Sequence, residues 1–223
     1  MANDIQLHYF GGRGIGEPIR LLLTVGGIEF ADHRYTFDEF AAMDEFKTRL
    51  PFGQLPALEV DGSLYGQTDS LMRYAARLSD LYPTMLTEAV RSDMIVAHQA
   101  DIHSAIAKMS FDGVPGAPGT KLVPEEERLR RLKAWFDVKL PGMLQCLEDL
   151  VENGFMVGGS LTWADICVFN RLTQLLDIES KLLNNRFTNL RAVYQNVAKL
   201  PAIKGWIESH AEDYPRGNSL EPG

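Results

Sequence analysis

The first residues whose types and spacing suggest chemistry are Tyr9 and the glycine-rich turn that follows it. Such a turn between a strand and a helix can bind phosphate, but the dinucleotide-binding pattern needs a glycine where this chain has Glu17. No Gly-Lys-Ser/Thr sequence occurs, which excludes a phosphate-binding P-loop. What remains is a tyrosine hydroxyl that, with an ordinary pKa of about 10, is protonated at neutral pH and can donate a hydrogen bond.

Other common catalytic patterns are absent from the sequence. No serine lies in the Gly-x-Ser-x-Gly turn of a serine hydrolase. The five histidines include no pair four residues apart, so we expect no metal site. No cysteine precedes Cys146, which disfavours a cysteine-based redox enzyme, and Cys146 and Cys167 are both expected to be small buried side chains.

Composition and charge limit the partners of the chain. Of 223 residues, 45% are hydrophobic and 23% are charged, which is typical of a globular protein. The net charge of -8 repels phosphate backbones and anionic lipids, so we expect neither nucleic acid nor a membrane as a partner. No apolar run approaches the roughly 18 residues of a spanning helix and no targeting signal is visible, so we expect a cytoplasmic protein.

Residues 1–82 show the periods of both strands and helices. Asp61-Gly62 between two short apolar stretches is the strongest two-residue hairpin signal. Pro18 near the start and Gly26 after the end bound the first helix. In the order βαβαββα, the predicted elements are strands over 5–9, 29–35, 57–60 and 63–65, a helix ending at Gly26, a short irregular helix within 37–50 and an amphipathic helix around 71–78.

The rest of the chain is predicted to be helical. An apolar helical stripe runs over residues 129–150, with a kink expected at Pro141. Apolar residues cover most of the helix predicted over 163–176, which places it inside a bundle, and Thr162 and Asp165 form a variant capping box at its start. We therefore predict a domain over 1–82, a linker over 83–87, an all-helical domain over 88–215 and a frayed tail over 216–223.

Several motifs occur in the order and register of one known family. They are Tyr9-Phe10, the Gly11–Gly16 turn with Glu17-Pro18-Ile19-Arg20, Gln54-Leu55-Pro56, Gln67-Thr68-Asp69 with Arg73-Tyr74, and Ser160 to Asp165. Over essentially its whole length the chain resembles the cytosolic glutathione S-transferases, most of all the sigma class, with alpha and mu as neighbours. The resemblance implies an α+β protein, with a thioredoxin-like N-terminal domain followed by an all-helical domain, that forms a homodimer.

The resemblance also implies that Tyr9 acts on the thiol of glutathione, the co-substrate. A free thiol with a pKa of about 8.5 is only about 3% thiolate at pH 7. Lowering that pKa by about two units takes about 2.7 kcal/mol, and one hydrogen bond to a charged group supplies about 1.5 to 3 kcal/mol. A single donated hydrogen bond from Tyr9 is therefore sufficient. The alternative is that Tyr9 is simply an aromatic residue at the end of a strand.

The chain departs from the family pattern at two positions. In the family a second arginine usually assists the thiolate where this chain has Ile15. Either stabilisation of the thiolate is weaker here, or Arg13 compensates. The family usually has a tryptophan over the glycine moiety of glutathione, and the best candidate here is Phe40, which lacks an indole N–H donor. Both departures favour modest catalysis.

For the peptide part of glutathione, the resemblance implies binding residues in the first domain. Gln54 and Lys47 face the glycine end of glutathione, although Lys47 could be no more than a solvated charge. The Leu55 backbone pairs with the cysteinyl part, and Pro56 is the family's cis-proline.

The γ-glutamyl end is assigned in the same way. Gln67 and Thr68 bind its carboxylate, and the helix N-terminus behind Thr68 favours an anion. The alternative is that they only cap this helix. Asp101 reaches the γ-glutamyl ammonium of the neighbouring subunit, or else is a surface partner of His98 three residues earlier.

The electrophile is expected to bind between the two domains. Positions 104, 108 and 111 fall on one helical face, so the predicted pocket consists of Phe10, Ile15, Ser104, Lys108 and Phe111. The predicted activity is conjugation of the glutathione thiolate to electrophilic small molecules, a detoxification reaction. Two alternatives remain open: a glutathione-dependent prostaglandin-type isomerase at the same site, and a non-catalytic, crystallin-like glutathione or ligand-binding protein.

Overall fold

A four-stranded mixed sheet forms the centre of the N-terminal part of the protein. The computed structural model describes residues 4–111, 124–183 and 186–215. In the strand order β2-β1-β3-β4, β1 pairs in parallel with β2 and antiparallel with β3, and β3 pairs antiparallel with β4. The strands are β1 (Ile5–Phe10), β2 (Ala31–Tyr35), β3 (Ala57–Val60) and β4 (Ser63–Tyr65).

The helices of this part complete the predicted βαβαββα order. They are α1 (Glu17–Val25), α2 (Phe37–Ala42), α3 (Asp44–Arg49) and α4 (Thr68–Leu78). The single irregular helix predicted within 37–50 is wrong, because the backbone breaks at Met43 into α2 and α3. Strand β2 also begins at Ala31, two residues later than predicted.

From residue 86 onward the described chain contains helices and short turns. The helices are α5 (Leu86–Phe111), α6 (Glu125–Val138), α7 (Leu140–Glu148), α8 (Trp163–Ile178), α9 (Thr188–Ala198) and α10 (Pro201–Ser209), followed by one 3-10 turn (Ala211–Asp213). In the described ranges, no helix is both long and apolar enough to cross a membrane. Helix α5 begins within the predicted linker over 83–87, and the predicted tail over 216–223 lies outside the described residues.

Two predictions for the helical part are wrong. The stripe over 129–150 is not one kinked helix, because α6 ends at Val138 and α7 begins at Leu140. Pro141 lies in the first turn of α7, where its missing N–H breaks no helical hydrogen bond. Cys146 is exposed on α7, whereas Cys167 is buried as predicted.

Helix α8 is the central element of the bundle, as its apolar circumference predicted. Trp163, Phe169 and Leu172 are all fully buried, and the Trp163 Nε1 donates to Ser92 Oγ on α5 at 2.8 Å. The helix also packs on α1 of the first part. It therefore connects the helix that follows the turn after β1 to the bundle.

The capping box at the start of α8 is confirmed. Asp165 Oδ2 accepts hydrogen bonds from the Thr162 N–H and from the Thr162 hydroxyl, both at 2.8 Å. Its other oxygen accepts from the Met156 N–H at 2.7 Å, so one buried carboxylate satisfies three donors. This links the loop before α8 to the helix itself.

We expect Asp165→Ala to lower the free energy of unfolding by about 3 kcal/mol, because it removes a helix cap and leaves buried donors without an acceptor. Asp165→Asn keeps one acceptor oxygen, so it should lower the free energy of unfolding by less. Urea unfolding followed by circular dichroism measures both changes. A midpoint for Asp165→Ala equal to that of the unchanged protein would contradict this role.

Candidate functional site

Tyr9 lies at the end of β1 with its ring enclosed and only 9% of the residue exposed. Its hydroxyl oxygen accepts a hydrogen bond from the Ile15 N–H at 3.2 Å. Burial raises the pKa of Tyr9 above its ordinary value, and the Ile15 N–H and the Arg20 charge oppose this shift only in part. The hydroxyl therefore keeps its proton at neutral pH and has it available to donate.

The glycine-rich turn lies directly against this tyrosine. A Cβ on Gly14 would overlap the Tyr9 hydroxyl oxygen, and a Cβ on Gly16 would overlap the ring. Gly14 also has a φ of +46°, in the left-handed region that side chains disfavour. Gly14 and Gly16 therefore allow the backbone of the turn to lie against the Tyr9 side chain, although the turn does not match the dinucleotide-binding pattern.

Arg20, on α1, holds the start of this turn. It is fully buried, and its guanidinium donates to the carbonyl of Gly12 at 2.8 Å and to that of Phe10 at 3.2 Å. Its Nε bonds Asp32 on β2 at 3.0 Å, and its guanidinium carbon lies 5.6 Å from the centre of the Tyr9 ring. Arg20 was identified only as part of a motif, and its role depends on contacts that the sequence does not specify.

Glu17 neutralises Arg20 from the other side. The two side chains are fully buried and form an ion pair of 3.1 Å. The second Glu17 oxygen accepts from Trp206 Nε1 at 2.7 Å and from the Tyr214 hydroxyl at 2.5 Å. Because both Glu17 oxygens accept hydrogen bonds, the charge of this carboxylate is compensated although it is buried. The same bonds anchor the start of α1 to the C-terminal end of the described chain.

Arg13 points toward the helical domain. It forms an ion pair with Asp177 in the last turn of α8, and its guanidinium carbon lies 5.0 Å from the centre of the Tyr214 ring. From the same helix, Gln174 Nε2 donates to the carbonyl of Gly14 at 3.0 Å. A second amide of α8, Asn170 Nδ2, donates to the same carbonyl at 3.5 Å, so α8 holds the turn by three side chains. A role for Arg13 toward the thiolate stays a prediction.

Five of the residues predicted to bind glutathione meet in one cavity, here called the Gln67 cavity. The peptide bond before Pro56 is cis, as the resemblance implied. Gln67 precedes α4 with a φ of +71° and makes no side-chain cap of that helix, which does not support a purely capping role. The cavity, of about 210 Å³, is lined by Ile15, Phe52, Gln54, Leu55, Pro56, Gln67 and Thr68.

Three further predicted glutathione residues lie outside this lining. Lys47 Nζ bonds the carbonyl of Ala41 at 2.6 Å and Asp44 at 2.8 Å, and lies 5.9 Å from the centre of the Phe40 ring. Asp101 is exposed on α5. His98 donates instead to the carbonyl of Met143 at 3.0 Å, so the surface pairing of His98 with Asp101 is not what the structure shows.

The predicted electrophile residues fall in different places. Ile15 and Ser104 share a cavity of about 180 Å³, here called the Arg171 cavity, whereas Lys108 lines a different cavity between α5 and α6. The Phe10 ring packs on Phe37, with 4.4 Å between centres. Phe111 ends α5, and its side chain lies outside the described part of the chain. The Arg171 cavity is lined by Ile15, Pro18, Thr68, Asp69, Met72, Gln99, Ala100, His103, Ser104 and Arg171.

Two titratable residues of the Arg171 cavity were missed by sequence analysis. Burial, together with the charge of Arg171, lowers the pKa of His103 to about 4, so the imidazole is neutral at pH 7. Burial lowers the pKa of Arg171 to about 10, which leaves it charged at pH 7. His103 directly precedes the predicted Ser104, but nothing in the apolar pattern of α8 indicated that Arg171 faces a cavity.

Two family models match most of the chain. Residues 5–77 match the N-terminal domain of glutathione S-transferases, and residues 119–210 match their C-terminal domain. The first match includes Tyr9 and the whole lining of the Gln67 cavity.

Curated relatives and solved structures agree with these matches. Glutathione S-transferase 2 of Manduca sexta is 31% identical over 210 residues, covering 92% of this chain and 96% of that protein. Glutathione S-transferase A4 of Mus musculus is 31% identical over 216 residues, covering 96% and 93%. Prostaglandin synthase D of Nilaparvata lugens has a similar structure, with a TM-score of 0.80 and 26% identity over 93% of this chain and 98% of that chain.

We expect Gly14→Ala to lower the free energy of unfolding by about 2 kcal/mol, because the added Cβ displaces the Tyr9 hydroxyl and strains a left-handed residue. Gly11→Ala in the same turn is the matched control, since its Cβ would meet nothing within 4 Å. Urea unfolding measures both, and in a Tyr9→Phe background the cost of Gly14→Ala should fall. Equal costs for the two alanines would contradict this contact.

Proposed function

The chain belongs to the glutathione S-transferase family, and we propose that it conjugates glutathione to electrophiles by stabilising the thiolate with the Tyr9 hydroxyl. The observation that carries this proposal is a buried, protonated phenol held at a glycine turn. Ile15, whose N–H bonds that phenol, also lines the Gln67 cavity. A peptide bound in this cavity therefore has the donor at its edge.

The energetics require that the phenol act as a donor. The Ile15 N–H occupies one lone pair of the Tyr9 oxygen and leaves the proton free. A hydrogen bond from that proton to an anionic sulfur is charge-assisted and favours the thiolate over the thiol. Because burial raises the pKa of Tyr9, the phenol does not lose its own proton in the range where the thiol ionises.

The peptide part of glutathione fits the lining of the Gln67 cavity. Gln67 and Thr68 stand at the N-terminus of α4, whose dipole favours a carboxylate. We assign the γ-glutamyl carboxylate to this end, the cysteinyl backbone to Leu55 and the glycine end to Gln54. Phe40 on α2 and Lys47 on α3 complete the site by a contact at the glycine end.

The reaction is a nucleophilic substitution or addition. The thiol proton leaves to solvent as the sulfur becomes anionic at Tyr9. The sulfur then forms a bond to an electrophilic carbon. In a substitution on an aryl halide the halide leaves with the bonding pair, and in an addition the π-bond pair moves to the far atom, which takes a proton from solvent. Detoxification of reactive small molecules in the cytoplasm is the role we assign to this chemistry.

Similarity to a protein named prostaglandin synthase favours one second candidate, a glutathione-dependent isomerase at the same site. The thiolate would attack the substrate and be released again, so glutathione would not be consumed. Turnover of a chlorodinitrobenzene supports the transferase. Glutathione binding without any turnover supports a ligand-binding protein instead.

We also propose that the chain forms a homodimer through α5. Leu86, Val90 and Met94 recur every four residues and are 85%, 64% and 51% exposed, an apolar stripe on one face of this helix. Asp101 follows seven residues after Met94, on the same face. Packing this stripe against a second copy would carry Asp101 toward the neighbouring Gln67 cavity, where it meets the γ-glutamyl ammonium.

We expect Tyr9→Phe to lower kcat/KM for chlorodinitrobenzene at pH 7 by about ten- to a hundredfold, as one charge-assisted hydrogen bond is lost. The rate rises with pH as the bound thiol ionises, so in the variant this rise should move to higher pH. The pH profile of kcat/KM at saturating glutathione measures both effects.

Tyr35→Phe is the matched control, because it removes a hydroxyl from the neighbouring strand that bonds His8 rather than the turn. Its pH profile should match that of the unchanged protein. If Tyr9→Phe also leaves the profile unchanged, the phenol is not the donor.

We expect Val90→Asp to turn the protein into a monomer, because a charge in the centre of an apolar interface is not compensated. Sedimentation equilibrium at micromolar concentration measures the mass. Leu129→Asp replaces an equally apolar residue that is 52% exposed on α6 and should leave the dimer intact. A Val90→Asp protein that remains a dimer places the interface elsewhere.

A further inference from the structure

Arg171 is a charged side chain buried beside the candidate site. Only 3% of the residue is exposed, yet it lines the Arg171 cavity. Its Nε donates to Gln99 Oε1 at 3.3 Å, and its Nη1 donates to the side-chain oxygen of Gln174. Both acceptors are neutral amides, which satisfy hydrogen bonds without balancing the charge.

No carboxylate within the described ranges forms an ion pair with Arg171. His103 lies in the same cavity and is neutral at pH 7, and burial keeps the Cys167 thiol protonated. Asp69 is the acidic residue of the lining, but it is exposed and not in ion-pair contact with the guanidinium. Burying a cation without a counterion is unfavourable, so this arrangement suits a ligand that brings the anion.

The position of the cavity indicates which ligand this is. Ile15 and Thr68 line both the Gln67 cavity and the Arg171 cavity, so the two are adjacent. The Ile15 N–H bonds the Tyr9 hydroxyl, which places the sulfur of bound glutathione at this boundary. A molecule in the Arg171 cavity, on the far side of Ile15, is therefore within reach of the thiolate.

We propose that Arg171 makes this protein selective for electrophiles that carry a carboxylate or a similar anionic group. This inference rests on the proposed transferase function and names its second substrate class. The reactive carbon faces the sulfur near Ile15, and the anionic group lies against the guanidinium, with the neutral His103 as a further polar partner. Arg171 thus determines specificity and takes no part in the transfer of the proton.

The carboxylate that binds Arg171 could also belong to glutathione itself, because Thr68 lines both cavities. The two sources differ in what a change at Arg171 affects. If Arg171 binds the electrophile, its loss raises KM for anionic electrophiles and leaves KM for glutathione unchanged. If it binds glutathione, KM for glutathione rises with every electrophile.

The test uses chlorodinitrobenzoate and its methyl ester, which share a leaving group and differ in charge. Each kcat/KM at pH 7 with saturating glutathione is divided by the uncatalysed rate with glutathione, which removes the difference in ring reactivity. We expect the carboxylate to be favoured over the ester by about tenfold or more. An ester preference or equal values in the unchanged protein would overturn the proposal.

Two variants assign the preference to Arg171. Arg171→Gln should abolish it by lowering the carboxylate value about tenfold while the ester value stays within about twofold. Arg171→Lys keeps the charge and should keep part of the preference. Arg186→Gln removes an exposed arginine that stacks on Phe187, and it should change neither value. Equal losses on both substrates in Arg171→Gln would show a structural role and overturn the proposal.

A binding measurement remains decisive if Arg171→Gln does not fold. Calorimetry on the unchanged protein compares S-(carboxybenzyl)glutathione with S-(methylbenzyl)glutathione, and we expect the carboxylate to bind about tenfold more tightly. Equal affinities would overturn the proposal. If both conjugates bind but neither substrate is turned over, the transferase function fails and the selectivity for electrophiles fails with it. Turnover of the ester without a carboxylate preference overturns the selectivity alone.

Discussion

A phenol that keeps its proton beside a peptide-binding cavity is the constraint on which the rest of this protein depends. The Tyr9 hydroxyl must be shielded from water so that it stays protonated, and it must lie close enough to donate to the sulfur of glutathione. The turn that follows β1 sets both conditions. Glycines allow that turn to lie on the Tyr9 ring. The buried pair of Arg20 and Glu17 then fixes the turn to the strand end and to the last helices. The site is thus built from both parts of the chain: Tyr9 and the Gln67 cavity belong to the N-terminal part, and α8 and α10 hold the turn from the helical part.

Local sequence signals were sufficient for much of the fold. The hairpin of β3 and β4 depends on the backbone preferences of two adjacent residues, Asp61 and Gly62. The start of α8 depends on the capping box of Thr162 and Asp165, which spans four residues. Both were predicted correctly because each depends on neighbours in sequence. The break between α6 and α7 was missed, since the same apolar stripe fits either one kinked helix or two. The exposure of Cys146 was missed as well, because it depends on which face of α7 the bundle covers.

The candidate site divides in the same way. The residues of the Gln67 cavity follow from family motifs, and the structure brings five of them together. Arg13 and Arg171 show where sequence reasoning ends, because their environments are set by partners 164 and 72 residues away in Asp177 and Gln99. In the sequence of α8, Arg171 follows a run of apolar residues, a pattern that also fits an arginine exposed on the helix surface. Only tertiary packing shows that it is buried and lines a cavity, so the lining of the Arg171 cavity was less predictable than the lining of the Gln67 cavity.

The most direct test of the account is the ionisation of glutathione bound to the unchanged protein. Ultraviolet difference absorbance reports the thiolate as pH is raised, and the same titration of free glutathione gives the reference. If the Tyr9 hydroxyl donates to sulfur, the bound thiol has a pKa about two units below that of the free thiol. If the bound thiol has the same pKa as the thiol of free glutathione, the account is contradicted even though the fold is correct.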